Sequence, residues 1–203
     1  MRTSSACLRP SFGFLSFRSR GFSVSHFETG EAAVKYLCGE IKGTTVGIGG
    51  CKTADQLGLY EALGESNTVF WHWRDSSPDV RTNENSAEYF ICSANAVSED
   101  GELVNIDGMG NRLAGQVFGH KKVFIVIGTN KICEDFNAAV FRARNVAAVL
   151  NAARFKKNTP CQVDGKCHDC RSPERICRAM TVQWFPMMGM ETEIVIIDEE
   201  LGM

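Results

Sequence analysis

Lys122-Val-Phe-Ile-Val-Ile-Gly128 contains five apolar residues in a row and ends in a glycine. An uninterrupted apolar run of this length is typical of a parallel strand that is buried on both faces. Other strands are predicted at residues 21–27, 44–48, 68–73, 89–93, 181–185 and 193–197. Helices are predicted at residues 28–40, 54–63 and 133–153. Because strands and helices alternate, we expect an α/β domain of three layers, in which helices cover both faces of a mainly parallel sheet.

The composition indicates an ordinary globular protein. The 203 residues are 44% hydrophobic and 23% charged, which suits one domain, alone or with a short appendage. A net charge of −2 gives no long-range attraction to nucleic acid, and no apolar run is long enough to span a bilayer. Nine cysteines without a secretory signal favour a reducing compartment, so we expect a cytoplasmic protein.

The amino-terminal segment differs from the rest in composition. Residues 1–27 contain seven serines and no acid, together with Arg2, Arg9, Arg18 and Arg20. This composition suits an organellar presequence, but it also suits a shortened or wrongly chosen start, which we favour. Its phenylalanines do not form one helical face. We therefore expect residues 1–20 to be poorly ordered or truncated and the domain to comprise residues 21–203.

A first candidate ligand motif is Thr45-Val-Gly-Ile-Gly-Gly-Cys-Lys-Thr53, which lies between a predicted strand and a helix. Glycines allow backbone N–H groups to approach a ligand, and the following helix directs its positive end toward an anion. The predicted ligand-binding residues here are Gly47, Gly49, Gly50, Lys52 and Thr53. The spacing matches neither the Walker sequence nor the dinucleotide fingerprint, so a tight strand-to-helix turn explains it equally well.

A second candidate motif covers residues 93–112, which contain three asparagines, three glycines, four acids and one arginine. Glu99-Asp100-Gly101 predicts a hairpin turn, and turn formation is the simplest explanation of the whole composition. The functional interpretation is a polar pocket wall that leads into a second helix amino terminus. The predicted ligand-binding residues are Asn95, Asn105, Gly108, Gly110, Asn111 and Arg112.

Two helix amino termini at one pocket would suit a phosphate, a carboxylate or a nucleotide-like ligand. Glu99, Asp100 and Asp107 are then candidates for a catalytic base or nucleophile, and the sequence does not choose among them. His72 lies between two tryptophans, for which packing of a strand end on a helix is the simpler explanation.

A cysteine-rich loop is predicted at residues 160–178, with sulfurs at Cys161, Cys167, Cys170 and Cys177. The segment is polar and basic, so burial in a core does not explain the cluster. Converging thiolates favour a 4Fe–4S cluster or zinc, and basic neighbours would offset their charge. A single CxxC pair fits neither the usual zinc ribbon nor the bacterial ferredoxin pattern. Reduced thiols or a redox pair therefore stay open.

Several segments together resemble the LUD-domain family, the lactate-utilisation proteins. The most specific is Ala94-Asn-Ala-Val-Ser-Glu-Asp-Gly-Glu-Leu-Val-Asn-Ile-Asp-Gly-Met-Gly-Asn-Arg112. The others are the Val46–Gly50 glycine run, residues 118–131, Arg144-Asn-Val-Ala-Ala148, the cysteine run and residues 193–202. The resemblance covers residues 21–203.

The resemblance implies a fold like that of the sugar-phosphate isomerases, the glucosamine-phosphate deaminases and the CoA transferases, with a ligand pocket between the glycine loop and the acidic loop. It also implies a component of an iron–sulfur system that oxidises lactate to pyruvate, with iron–sulfur subunits as partners. Two alternatives stay open, an isomerase or CoA-transferase-like enzyme and a non-catalytic scaffold subunit. The sequence departs from the family at Cys51, where serine is frequent, at Gly119-His120 in place of Gly-Pro, and in the helix expected before the first strand.

Overall fold

The structure is a computed structural model that describes the backbone of residues 11–203 and the side chains from residue 15 onward. The strands are β1 (Ser23–Phe27), β2 (Thr45–Ile48), β3 (Thr68–Phe70), β4 (Tyr89–Cys92), β5 (Ala96–Ser98), β6 (Leu103–Asp107), β7 (Lys122–Gly128), β8 (Ile132–Cys133), β9 (Ala179–Gln183) and β10 (Glu191–Ile197). The helices are α1 (Ser11–Ser19), α2 (Gly30–Glu40), α3 (Lys52–Gln56), α4 (Leu59–Gly64), α5 (Val80–Ser86), α6 (Asn111–Val117), α7 (Phe136–Arg142), α8 (Ala148–Arg154) and α9 (Cys161–Asp164).

The central sheet has six parallel strands in the order β1-β10-β7-β4-β2-β3. Its middle strands are buried because alternate apolar side chains face opposite layers. Phe124 and Val126 of β7 pack with α2, α3 and α4 on one face. Val123, Ile125 and Ile127 face the other side, where they pack with α1 and the strands β5 and β6. The predicted three-layer α/β fold is confirmed.

A second, smaller sheet was not predicted. It has four strands in the order β8-β5-β6-β9, and β5 and β6 form the antiparallel hairpin expected around residues 99–101. The predicted long helix lies on this sheet, where Ala139 and Ala143 contact Ala96 and Val104. It runs from α7 through a π-helical turn, Ala143–Ala147, into α8.

Three local predictions need correction. The helix predicted at residues 54–63 is two short helices, because Gly58 adopts a left-handed conformation (φ 63°) between α3 and α4. The strand predicted at residues 68–73 ends at Phe70, and a turn follows it. The helix α5 was missed because its sequence, Val-Arg-Thr-Asn-Glu-Asn-Ser, has no apolar periodicity.

The amino-terminal segment also differs from the expectation. Residues 11–19, which we expected to be poorly ordered, form α1 before the first strand. The physical reason is tertiary packing: Phe17 is buried in the core and its ring lies 6.0 Å from that of Phe22. One deeply buried aromatic side chain can hold a helix whose own periodicity is weak. The predictions for residues 1–10 lie outside the described residues.

Gly47 has a packing role that the sequence did not reveal. A Cβ placed on this residue would lie 2.1 Å from the carbonyl oxygen of Glu84, so α5 approaches β2 only because the strand has a glycine there. The position of α5 therefore depends on the absence of a side chain at residue 47, and so does the position of the Glu84 side chain.

We expect Gly47→Ala to lower the free energy of unfolding by about 3 kcal/mol, because the new methyl group has no space. Chemical denaturation measures this change. The matched control is Gly39→Ala in α2, where an added Cβ meets nothing within 4 Å. That substitution is expected to stabilise the protein by about 0.5–1 kcal/mol. Equal effects of the two variants would contradict the packing role of Gly47.

Candidate functional site

A cavity of about 540 Å³ lies at the carboxyl ends of β2, β4 and β7. Ligands of open parallel sheets bind at this edge, where strand-to-helix loops meet. Both glycine bends contribute to the wall, one through Gly50 and the other through Gly108. The end of α8 and residues 173–178 of the cysteine-rich loop form the opposite wall. The two bends therefore face one cavity.

Arg112 is buried beside this cavity and all its hydrogen bonds are made within the chain. Its Nη1 donates to the Ser93 carbonyl at 3.0 Å and to Asn105 Oδ1 at 2.7 Å. Its Nη2 donates to the Ile106 carbonyl at 2.6 Å and to Asn95 Oδ1 at 3.3 Å. A guanidinium with so many internal acceptors positions the loops rather than offering its donors to a ligand.

Asp107 occupies the amino end of α6. Its Oδ1 accepts the N–H of Gly108 at 2.7 Å, and its Oδ2 accepts those of Arg112 at 3.1 Å and Leu113 at 3.4 Å. At the start of α3, Cys51 Sγ accepts the N–H of Ala54 at 3.3 Å. Both helix amino termini that we expected to bind an anion are thus capped by the chain itself. The sulfur of Cys51 takes the capping role of a serine hydroxyl.

The predicted ligand-binding and catalytic residues occupy different parts of the structure. Seven line the cavity, namely Gly50, Lys52, Thr53, Asn95, Gly108, Asn111 and Arg112. Asn105 is fully buried in the Arg112 network, and Gly49 packs against Arg112 and Phe90. Gly47 packs on α5, and Gly110 is a left-handed residue with open space around it. Glu99 and Asp100 lie at the hairpin turn, where Arg20 donates to the Asp100 carbonyl.

Lys131 is the important residue that sequence reasoning missed. It is 3% exposed and lines the cavity, and its Nζ donates to the Ala94 carbonyl at 3.1 Å. Burial lowers the pKa of Lys131 to about 8, and the positive charges of Arg142 and Arg112 act in the same direction. No described carboxylate lies within ion-pair distance of this ammonium. A buried cation without a counterion is costly unless an anion arrives from outside.

The cavity is strongly basic. Its lining contains two acids, Asp107 and Glu174, and seven basic residues, namely Lys52, Arg112, Lys131, Arg154, Lys157, Arg175 and Arg178. Two of these cations are neutralised, because Lys52 pairs with Asp55 at 2.5 Å and Arg175 pairs with Asp169 at 2.9 Å. The others form no ion pair with a described residue, so the cavity carries a net positive charge that would attract an anion.

His72 also lines the cavity and is bound to a buried carboxylate. Its Nδ1 lies 2.6 Å from Oε1 of Glu84, which also accepts the backbone N–H of His72. Trp73 forms the neighbouring part of the wall, and the guanidinium carbon of Arg154 lies 4.8 Å from its ring. The turn after β3 thus supplies an imidazole and an aromatic surface to the cavity.

The four loop cysteines do not form a metal site in this arrangement. Cys161 Sγ lies 3.2 Å from Thr159 Oγ1, whereas Arg144 donates to Cys167 Sγ at 3.9 Å. Within the part of the chain that is described, no group of three or more His, Cys, Asp or Glu side chains could hold a metal ion. The four sulfurs are therefore not arranged as the ligands of one metal centre in this structure. The predicted metal site stays a prediction from the sequence.

Fold and cavity together define a three-layer α/β domain with a cationic cavity at its strand ends. The LUD domain profile matches residues 16–197, so the chain belongs to the LUD domain family, which is associated with lactate-utilisation proteins. The chain is also similar to a solved structure, a DUF162 family protein from Deinococcus radiodurans, with a TM-score of 0.50. The identity is 11%, over 91% of this chain and 96% of that one, so the likeness shows the fold alone. The comparison with curated proteins found no match to this chain.

Within residues 11–203, every helix is too short or too polar to span a bilayer.

The buried position of Lys131 predicts a specific pH dependence. Its pKa is about 8 in the folded chain and 10.5 ordinarily, so the unfolded chain binds more protons between these values. Stability should therefore rise with pH across this interval, by about 3 kcal/mol for this group. Lys131→Met should remove this rise relative to the wild type. Denaturation curves between pH 7 and 10.5 measure it, and the exposed Lys121→Met is the control. Parallel curves for Lys131→Met and the wild type would contradict the burial argument.

The metal prediction can be tested on protein purified without oxygen. A metal centre predicts stoichiometric iron or zinc and four loop cysteines that react with iodoacetamide only after chelation. Cys51 and Cys92 are internal references, because burial raises their pKa and keeps them unreactive in either case. Loop thiols that are alkylated at once, in protein without bound metal, would show that the cluster is a set of ordinary thiols.

Proposed function

We propose that this chain is the LUD-domain component of a lactate-utilisation-type redox system and that its cavity binds a small anion. The family supports the first part. The cavity at the strand ends supports the second part, because its charge and position suit a carboxylate or a phosphate group.

The observation that carries the anion proposal is Lys131. An ammonium held at 3% exposure without a counterion has lost its hydration and gained one carbonyl contact. A carboxylate or phosphate that binds beside Nζ would restore the missing charge partner and gain a charge-assisted hydrogen bond. The hydroxyl of Thr53 lies next to the same ammonium, since a Cβ at Gly202 would be 2.5 Å from Thr53 Oγ1 and 2.9 Å from Lys131 Nζ.

The wider cavity supports a ligand larger than a simple ion. A volume of about 540 Å³ is within the range of small-molecule sites. Trp73 and Phe155 provide apolar surface, with the Arg154 guanidinium carbon 4.8 Å and 4.0 Å from their rings. An anionic group at Lys131 with an organic body toward Trp73 would use both kinds of surface.

The iron–sulfur link and the two alternative functions rest on different observations. The iron–sulfur part and its subunit partners rest on the sequence of the cysteine loop and on the family association. The isomerase or transferase alternative stays open. Of its three candidate acids, Asp107 lines the cavity, where it caps α6, whereas Glu99 and Asp100 lie at the hairpin turn outside the cavity lining. A non-catalytic scaffold subunit would bind no ligand at Lys131, which the following experiment tests.

We expect pyruvate, L-lactate or inorganic phosphate to stabilise the protein against thermal unfolding. At a concentration 100 times the dissociation constant the gain would be about 2.7 kcal/mol. Lys131→Met should weaken binding of the same anion roughly 10- to 100-fold, since a hydrogen bond to a charged group is lost. Calorimetric titration at constant ionic strength measures the affinity.

The matched control is Lys121→Met, which removes a surface lysine that pairs with Glu88 and lies outside the cavity. It should bind each anion as the wild type does. Absence of binding by all three anions, or equal loss in both variants, would contradict an anion site at Lys131 and favour the scaffold alternative.

A further inference from the structure

The imidazole of His72 is held in one orientation and one tautomer. Oε1 of Glu84 lies 2.6 Å from Nδ1 and also accepts the backbone N–H of His72. A carboxylate accepts hydrogen bonds, so Nδ1 carries the proton. The other ring nitrogen, Nε2, then presents a lone pair whenever the ring is neutral.

His72 lines the cavity, and its Nε2 lies beside Gly50 of the cavity wall. A Cβ placed on Gly50, which lines the cavity, would lie 3.6 Å from Nε2. Among the described residues no group makes a hydrogen bond with this nitrogen, although the side chain is only 12% exposed. It can therefore exchange a proton with a molecule in the cavity without first breaking a contact in the protein.

The chain gives up stability to hold this histidine. Glu84 is 0% exposed, and its Oε2 has no hydrogen-bond partner among the described residues. A buried carboxylate that is bonded through only one of its oxygens is unfavourable, so its retention beside His72 calls for an explanation. The approach of α5 also depends on Gly47, since any side chain there would collide with the Glu84 backbone.

Lys131 lies near Thr53, at the carboxyl-terminal end of the same bend. Thr53, beside Lys131, is three residues after Gly50, which contacts His72. The bend thus separates an oriented base from a buried ammonium, and both line one cavity. A base and a cation at one ligand are the two groups needed to remove a proton and to stabilise the negative charge that results.

We propose that His72 is a general base that enolises a 2-oxo carboxylate bound in the cavity, with Glu84 and Gly47 as positioning residues. The proposal rests on the anion site proposed above. Nε2 takes a proton from the carbon next to the carbonyl, the C–H electron pair forms a carbon–carbon double bond, and the carbonyl electrons move to the oxygen. Lys131, beside which the carboxylate binds, also stabilises the enolate oxygen on the adjacent carbon. Return of a proton from Nε2 restores the ketone, so no oxidant or reductant is consumed.

The geometry favours this reaction over acyl transfer. None of the described serine, threonine or cysteine side chains makes a hydrogen bond with Nε2, so the base has no protein nucleophile to activate. In the proposed step the proton therefore comes from the bound molecule. A carbon acid next to a carbonyl is the class in which one base and one cation suffice.

The experiment follows hydrogen–deuterium exchange at carbon 3 of pyruvate and 2-oxobutyrate by proton NMR in deuterium oxide, with the full-length protein. Acetone is the ligand control, because it has the same carbonyl and no carboxylate. The protein should accelerate exchange of at least one 2-oxo acid over buffer, and that of acetone far less. His72→Gln should reduce the catalysed rate roughly 10²- to 10⁴-fold while calorimetric affinity stays within threefold.

The matched control is His168→Gln. His168 also pairs with a carboxylate, Asp164, at 2.9 Å, but that pair is exposed and lies outside the cavity. This variant should exchange as the wild type does. Added imidazole should restore part of the rate of His72→Ala, which a purely structural role of the ring would not allow.

The outcomes separate the two proposals. Binding of pyruvate or 2-oxobutyrate without accelerated exchange, or with exchange that His72→Gln leaves unchanged, would overturn the base and leave the anion site standing. Absence of binding and of exchange would remove both. A nitrogen-15 NMR spectrum of the wild type adds a test that needs no variant, since a proton on Nε2 of neutral His72 would also overturn the proposal.

Discussion

The guanidinium of Arg112 is the interaction on which the arrangement of this molecule depends. Its hydrogen bonds reach the end of β4 through Ser93 and the second sheet through Asn105 and Ile106, while its own backbone begins α6. Because the guanidinium is buried, each bond that it loses would leave an unpaired polar group. The long string of asparagines, glycines and acids in this region is therefore a connection between two sheets, and the cavity exists because that connection fixes the distance between its walls.

A rigid framework of this kind can hold charged side chains in unfavourable, buried positions nearby. Lys131 and Glu84 are buried charges of opposite sign that do not contact one another, and each lacks part of the solvation it would have in water. Stable parts of a protein support such groups at sites where they act on a ligand. Both an ammonium and a carboxylate-bound imidazole therefore line the cavity, and two groups of such different character would orient an asymmetric anion.

The sequence predicted the central sheet well because a continuous apolar run such as residues 123–127, closed by a glycine, is too short for a buried helix and fits a buried strand. It did not predict the second sheet, whose strands are only two to five residues long and so show no clear alternation. The site was predicted only in part for the same reason. Glu84, the partner of His72, lies in α5, whose sequence shows no helical periodicity. Nothing in the sequence around Lys131 indicates that its side chain is buried. The capping role of Asp107 could have been recognised, because aspartate shortly before a helix is a common cap.

The order of strands in the central sheet has a consequence for synthesis of the chain. The strand β10 lies between β1 and β7, so the earliest strand has no neighbour until the latest of the described strands has emerged. At ordinary ribosomal rates that interval is of the order of ten seconds or more. During it, apolar edges of β1 and β7 are open to water and to other nascent chains. The central sheet can therefore be completed only after β10 has left the ribosome, and yield in a host cell should depend on chaperone capacity more than for a protein whose sheet grows from its first strand outward.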